Sequence, residues 1–141
     1  MRERIRWPWW LCGLIIALDI SIVIAIWAGL GNAAAITSVL VLLALTIYFY
    51  IFSSLAISID ESQLHVGRAH IDRRYIGEIE TLSDEQMRFL RGPGIDPSAF
   101  LAIRFWVKGG VKIEVRDQRD PTPYWLVSSR RPIEITDLLK N

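Results

Sequence analysis

The feature that most constrains this chain is a long apolar stretch near its N-terminus. Between Trp7 and Ile57 there is a single charged residue, Asp19. The stretch divides at Gly31-Asn32 into two apolar runs, and each is long enough for a helix to cross a bilayer, which takes roughly 20 residues. A cleaved signal peptide explains this pattern poorly, because a second apolar run follows the first almost at once. The sequence therefore predicts an arginine-rich tip and a hairpin of two transmembrane helices over residues 1–57.

The arginines predict the orientation of this hairpin. Arg2, Arg4 and Arg6 precede the first run, whereas the turn between the runs carries no charge. Cytoplasmic segments that flank membrane helices carry an excess of Lys and Arg, so the N-terminus is expected in the cytoplasm. Two crossings would return the chain to the same side, and residues 58–141 are expected there as a membrane-proximal domain.

The charge balance of residues 58–141 argues against nucleic-acid binding. This segment carries 13 basic and 13 acidic residues, with no long run of either sign. Binding to phosphate backbones requires a concentrated basic face. No nucleic-acid partner is therefore expected.

Alternating apolar residues and turn signals indicate a small β-domain. Glu61-Ser62 and Gly109-Gly110 each separate two alternating segments and predict hairpins. Ser83 and Gln86 stand at capping-box spacing before a short helix, and Pro132 suits the first turn of a terminal helix. The predicted fold class is a membrane α-helical hairpin followed by a small α+β, mainly antiparallel β-domain, pleckstrin-homology-like, with a C-terminal helix.

Four segments of this half resemble a known family. LHVGRAHI, RYIGEIE, GPGIDPSAF and DPTPYWLVSSRRP are similar, in the same order and at similar spacing, to the small actinobacterial membrane proteins of domain of unknown function family 3093. The resemblance spans almost the whole chain. It implies a protein of the bacterial inner (plasma) membrane, and it implies no activity, substrate or catalytic residue. Together with the two crossings and the orientation predicted above, the expected location is the inner membrane, multi-pass, with both termini cytoplasmic.

The segment YWLVSSRRP raises the question of an anion site. Ser128, Ser129, Arg130 and Arg131 bring hydroxyl groups and guanidinium groups to the start of a predicted helix, and these are the ingredients of a phosphate or anionic lipid-headgroup site. The alternative is a purely structural end of the fold. Serines before helices commonly act as caps, and arginines there are commonly solvated or paired.

Asp19 is the most informative single residue of the apolar half. A carboxylate in the middle of a membrane helix is unfavourable unless it is paired or hydrated, so it marks a functional position by default. The structural alternative is a hydrogen bond to Thr46, which lies at the matching depth in an antiparallel hairpin. A hairpin subunit of a transporter that uses Asp19 is a further alternative.

Small residues recur at every fourth position of the first run, a spacing that lets helices approach closely. We call Gly13, Ala17, Ser21 and Ala25 the small-residue stripe. Asp19 points away from this stripe on a helix, so the two features need different neighbours. If the stripe packs on the second run, Asp19 must face another chain, water or lipid. If Asp19 faces the second run, the stripe is free for a partner. In either case self-association or another membrane protein is expected.

Signals for catalysis are weak. Cys12 lies in the apolar half, His65 and His70 stand alone, and no Gly-rich phosphate loop is present. The chain is predicted not to be an enzyme, with no catalytic residue, no metal ligand and no cofactor. The expected function is an interaction or assembly module that presents a cytoplasmic β-domain at the bilayer. The main alternative is an anionic lipid-headgroup binder.

Overall fold

The first strand of the structure begins at Arg2, within the segment predicted to be only an arginine-rich tip. A computed structural model of the chain describes residues 1–140. β1 (Arg2–Ile5) pairs antiparallel with β2 (Leu55–Ile59), and the register places Ile5 opposite Leu55. The helix α1 (Trp9–Ser53) lies between them in sequence. The chain thus leaves a sheet after β1 and returns directly into the neighbouring strand.

α1 is a single helical element of 45 residues, and within residues 1–140 it is the one helix long and apolar enough to cross a membrane. The predicted pair of transmembrane helices, and with it the two-pass topology, is therefore wrong. Gly31 lies inside α1 and alone leaves helical geometry, with φ 79° and ψ −172°, a conformation open to glycine because it has no Cβ. α1 bends sharply there: the Thr46 hydroxyl lies 2.9 Å from the Asp19 carboxylate, whereas a straight helix would separate the two residues by about 40 Å.

The chain divides into two compact units. Met1–Ile5 and the chain from Leu55 onward form one, here called the β-unit, and Arg6–Ser54 forms the other, here called the helical unit. These bounds differ from the predicted segments 1–57 and 58–141 because β1 and β2 belong to the folded sheet.

The first sheet has the strand order β1-β2-β3-β4, with β3 at Gln63–Val66 and β4 at Ala69–Asp72. The β2–β3 hairpin predicted at Glu61-Ser62 is confirmed, with Ile59 opposite Leu64. Alternation places Ile57, Ile59, Leu64 and Val66 on one buried face. The other face of this sheet is turned outward.

The second sheet has the order β5-β7-β8-β6. Its strands are β5 (Ile76–Leu82), which follows a 3₁₀ turn at Arg73–Tyr75, β6 (Phe100–Ala102), β7 (Gly110–Val115) and β8 (Tyr124–Ser128). The short helix α2 (Asp84–Leu90) follows β5, and its predicted capping box is confirmed, because Ser83 and Gln86 exchange side-chain and backbone hydrogen bonds.

The predicted mainly antiparallel pairing is confirmed, since every strand pair except β6–β8 is antiparallel. The pleckstrin-homology-like arrangement predicted for this domain is not supported. The β-unit contains two separate four-stranded sheets, and β6 pairs with β8 in parallel. The predicted hairpin at Gly109-Gly110 does not form, since Gly110 already belongs to β7 and pairs with Ser128 of β8. The irregular connection over residues 103–109 takes the chain from one side of β8 to the other, so β6 and β7 flank β8 instead of pairing with each other.

One apolar core joins the two sheets and the terminal helix α3 (Pro132–Lys140). Ile5, Leu64, Val111 and Ile113 are at most 1% exposed, as is Ile135 of α3. α3 therefore covers the core, and the segment from Ser128 to Arg131 lies between β8 and the start of this helix.

Candidate functional site

The predicted anion site is formed by the end of β8 and the start of α3. β8 lies between β7 and β6, so both edges of this strand are paired. Ser129 follows β8, and its backbone N–H donates to the Gly109 carbonyl at 3.1 Å. Pro132 is the first residue of α3, a position where proline loses no helical hydrogen bond. The four predicted residues are thus held on a rigid connection.

Ser128 is directed into the protein. It is 0% exposed, and its hydroxyl oxygen accepts a hydrogen bond from the Arg104 backbone N–H at 3.0 Å. This contact holds residue 104 beside the end of β8 and satisfies a backbone donor that lies between regular elements. The hydroxyl therefore stabilises the fold at this point.

Ser129 is 1% exposed and binds a carboxylate of the same chain. Its hydroxyl donates to Glu3 Oε2 at 2.6 Å, and the Arg130 backbone N–H donates to Glu3 Oε1 at 2.9 Å. The Ser129 oxygen also accepts from the Arg131 backbone N–H at 2.9 Å, the contact of a serine turn that precedes α3. The donors expected to hold an external anion thus already hold Glu3.

Glu3 is the residue that sequence reasoning missed. It lies 126 residues before Ser129, and no local pattern connects them. The only sequence signal is the alternation in RERI, which puts Glu3 and Ile5 on one strand face and Arg2 and Arg4 on the other.

The two arginine side chains lie at the surface. Arg130 and Arg131 line an open depression of about 520 Å³ together with Ile133, Glu134 and Asp137. Arg131 lies 3.5 Å from Glu134, and such an exposed pair contributes little to stability. Because carboxylates share this depression with the guanidinium groups, its attraction for a further anion is reduced.

Burial and local hydrogen bonds change the charge behaviour of a few other groups. Burial lowers the pKa of Arg104. A hydrogen bond from the Glu78 backbone N–H, followed by the Arg116 guanidinium, lowers the pKa of Glu114. Hydrogen bonds from Thr122 lower the pKa of Asp120. These groups are spread over the β-unit and do not form one catalytic cluster.

In the helical unit the structure brings the two predicted contact residues together. The Thr46 hydroxyl donates to Asp19 Oδ2 at 2.9 Å, and Asp19 is partly buried. The small-residue stripe is exposed at all four positions, and a Cβ added to Gly13 would meet nothing within 4 Å. Asp19 and the stripe thus lie on different faces, as their spacing predicts.

The histidines occupy a sheet surface. His65 and His70 are opposite each other on β3 and β4, with ring centroids 5.8 Å apart. His65 Nε2 lies 3.8 Å from an exposed Asp60 carboxylate. Over residues 1–140 there is no group of three or more His, Cys, Asp or Glu side chains placed to hold a metal ion.

Comparison with known proteins gives a family. A family model described as "Protein of unknown function (DUF3093)" matches residues 1–139. No curated protein and no solved structure matches the chain. Because the family model covers nearly the whole chain, from the first strand through α3, this protein belongs to the DUF3093 family.

Proposed function

We propose that this protein is an interaction or assembly module that the helical unit attaches to a bacterial plasma membrane, with the β-unit on the cytoplasmic side. One observation carries the proposal. Ile5 is the last β-unit residue before the helical unit and Leu55 is the first after it, and the two are opposite each other on paired strands. Both ends of the helical unit therefore continue into one sheet. We assign no catalytic step to the protein.

The N-terminal strand is well integrated into the β-unit. The Met1 amino group donates to the Ile59 carbonyl at 3.1 Å, and the Ile59 N–H donates to the Met1 carbonyl at 2.9 Å. Ile5 is fully buried, and Glu3 binds the segment before α3. These contacts make β1 part of the β-unit, so the chain on both sides of the helical unit belongs to the same sheet.

The helical unit is suited to an apolar environment. Many large apolar side chains of α1 are more than half exposed, among them Leu14, Ile24, Leu40 and Ile51. Soluble monomeric proteins rarely expose so extensive an apolar surface. Lipid contact would remove it from water.

The expected partner is a second copy of the chain or another membrane protein. Asp19 and Thr46 bind each other within the helical unit, and the small-residue stripe is left exposed.

The rival function is headgroup binding through Ser128, Ser129, Arg130 and Arg131. It is less favoured, because the Ser129 hydroxyl and the Arg130 backbone N–H already donate hydrogen bonds to Glu3.

Cysteine labelling in intact cells tests the sidedness. Single cysteines would replace Arg4 on β1 and Glu61 in the β2–β3 turn, each in a Cys12→Ala background. Both are expected to react with a membrane-impermeant maleimide only after the cells are lysed. Labelling of either position in intact cells would place the β-unit outside the cytoplasm and would refute the proposal.

Native mass spectrometry of the full-length protein, released from its own membrane in mild detergent, tests assembly. A discrete oligomer or a bound second protein is expected. Ala17→Leu on the stripe should weaken it, whereas Ala44→Leu, at an exposed position outside the stripe, should not. A strict monomer, both in detergent and in lipid nanodiscs, would contradict the assembly role.

A further inference from the structure

The outward face of the first sheet carries a row of basic and hydrogen-bonding side chains that are distant in sequence. The strand registers place Arg2 opposite Ser58, Ser58 opposite His65, and His65 opposite His70. Neighbouring strands are about 4.8 Å apart, so these four residues form a line of about 14 Å across the whole sheet. Arg4 lies on the same face of β1, opposite Ala56.

Alternation along each strand directs these side chains outward. Their neighbours in sequence, including Ile57, Leu64 and Ile71, are buried in the core. Arg2, Arg4 and His70 are exposed, and Ser58 and His65 are partly exposed. The face is therefore open to a ligand without any rearrangement of the sheet.

The arginines on this face differ from most others in the β-unit. Arg74, Arg88, Arg116, Arg119 and Arg131 each pair with a carboxylate. Within residues 1–140, neither Arg2 nor Arg4 makes an ion pair or a side-chain hydrogen bond. The nearby carboxylates already have partners: Asp60 lies beside His65, and Asp72 contacts Gln63 and Arg74.

The position of the row within the β-unit indicates its ligand. Arg4 and Ala56 are opposite each other, one residue from the pair Ile5 and Leu55 at which the chain enters and leaves the β-unit. Along β1, Arg4 is thus one residue and Arg2 three residues from the point where the chain leaves the β-unit for the helical unit. Guanidinium groups bind phosphate through paired N–H donors, and basic side chains near an anionic bilayer gain roughly 1 kcal/mol each.

We propose that Arg2, Arg4, Ser58, His65 and His70 form a docking surface for the anionic phospholipid headgroups of the membrane that holds the helical unit. This inference rests on the proposed membrane attachment and goes beyond it, since it assigns the lipid class and the residues that contact it. The headgroup-binding face is then the outward side of β1–β4 and not the segment from Ser128 to Arg131.

The test uses the full-length protein purified from the membrane fraction. Native mass spectrometry would compare retention of phosphatidylglycerol and phosphatidylcholine by three proteins: wild type, the Arg2→Gln/Arg4→Gln variant, and a matched Arg130→Gln/Arg131→Gln variant. Wild type should prefer phosphatidylglycerol. Each arginine removed from the docking surface should lower the apparent affinity about fivefold, the factor that corresponds to roughly 1 kcal/mol, whereas the matched variant should retain the preference.

A second variant, His65→Gln/His70→Gln, leaves the N-terminal arginines intact and should also weaken the preference. The inference is overturned if the wild type retains both lipids equally. It is also overturned if neither docking-surface variant changes the preference, or if only the Arg130→Gln/Arg131→Gln variant does. Absence of the wild-type protein from the membrane fraction would instead refute the proposed function, so the two failures are distinguishable.

Discussion

The Glu3 carboxylate accepts a hydrogen bond from the Ser129 hydroxyl at 2.6 Å, although the two residues are 126 positions apart. The same carboxylate accepts from the Arg130 backbone N–H at 2.9 Å. An internal carboxylate thus binds the donors that the sequence offers to an external anion, which agrees with the alternative of a structural end of the fold. The contact also joins the first strand to the segment that precedes the last helix, so the two ends of the chain stabilise each other.

Removal of this carboxylate should destabilise the β-unit. For Glu3→Ala we expect the free energy of unfolding to fall by about 2 kcal/mol, because hydrogen bonds to charged groups contribute more than neutral ones and Ser129 is buried. Urea denaturation of the full-length protein in mild detergent, followed by tryptophan emission, would measure it. Glu61→Ala, in the exposed β2–β3 turn, serves as the control and should change little. Equal stability of both variants would contradict a structural role for Glu3.

Gly110 is expected to tolerate no larger side chain. An added Cβ would lie 2.5 Å from the Val127 carbonyl oxygen and 2.7 Å from Met87 Sδ. The carbonyl belongs to the paired strand β8 and cannot move away easily, so Gly110→Ala should cost about 1–3 kcal/mol, the usual range for overpacking. Thermal unfolding monitored by circular dichroism would detect the change. Gly13→Ala, where the added Cβ meets nothing within 4 Å, is the matched substitution, and a comparable loss there would disprove the steric explanation.

The hydrogen bond from Thr46 to Asp19 should stabilise the helical unit. Thr46→Val keeps the shape of the side chain and removes the donor, and we expect a loss of about 1 kcal/mol, typical of polar contacts between membrane helical segments. Unfolding in mixed micelles with increasing dodecyl sulfate would report it. Thr37→Val provides the comparison, because the Thr37 hydroxyl donates only to the Ala33 carbonyl one turn earlier. If Thr37→Val is equally damaging, the link to Asp19 has no special importance.

Glu114 should contribute to the acid sensitivity of the β-unit. The Glu78 backbone N–H donates to it at 2.8 Å and Arg116 lies beside it, and both lower its pKa. Since the folded pKa lies below the ordinary value, the stabilisation is present at neutral pH. It is lost as the pH falls below about 4.3 and through the folded pKa.

Melting temperatures measured from neutral to acid pH should therefore decline less steeply for Glu114→Gln than for the wild type. Glu61→Gln, which changes an exposed turn residue, should follow the wild-type profile. Parallel profiles for the wild type and Glu114→Gln would exclude this contribution.

Local patterns were sufficient for elements whose determinants are close in sequence. The β2–β3 hairpin, the capping box of Ser83 and Gln86 and the helix from Pro132 all form where the sequence predicts them. Each depends on alternation, a cap or a proline within a few residues. The contact of Asp19 with Thr46 was expected from their matching depth in an antiparallel hairpin, and the bend at Gly31 brings them together.

The wrong predictions concern partners distant in sequence. Local alternation cannot distinguish a strand that pairs with its successor from one that pairs in parallel with β8, as β6 does. The turn signal at Gly31-Asn32 coincides with the bend in α1, where Gly31 leaves helical geometry, although the structure has one helical element there and not the predicted pair.

What the sequence by itself determined is the long apolar segment, the neutral β-rich half and the family, because composition, periodicity and motif order are local properties of the chain. Tertiary structure alone decided that Arg2–Ile5 is a strand, that Glu3 fills the place between Ser129 and Arg130, and that Arg2, Ser58, His65 and His70 lie in one row. A strand of four residues is too short to be recognised alone, and its register is set by the burial of Ile5 against the core. These features depend on which distant strands pair and in what register, and that pairing fixes the sheet face on which each side chain lies.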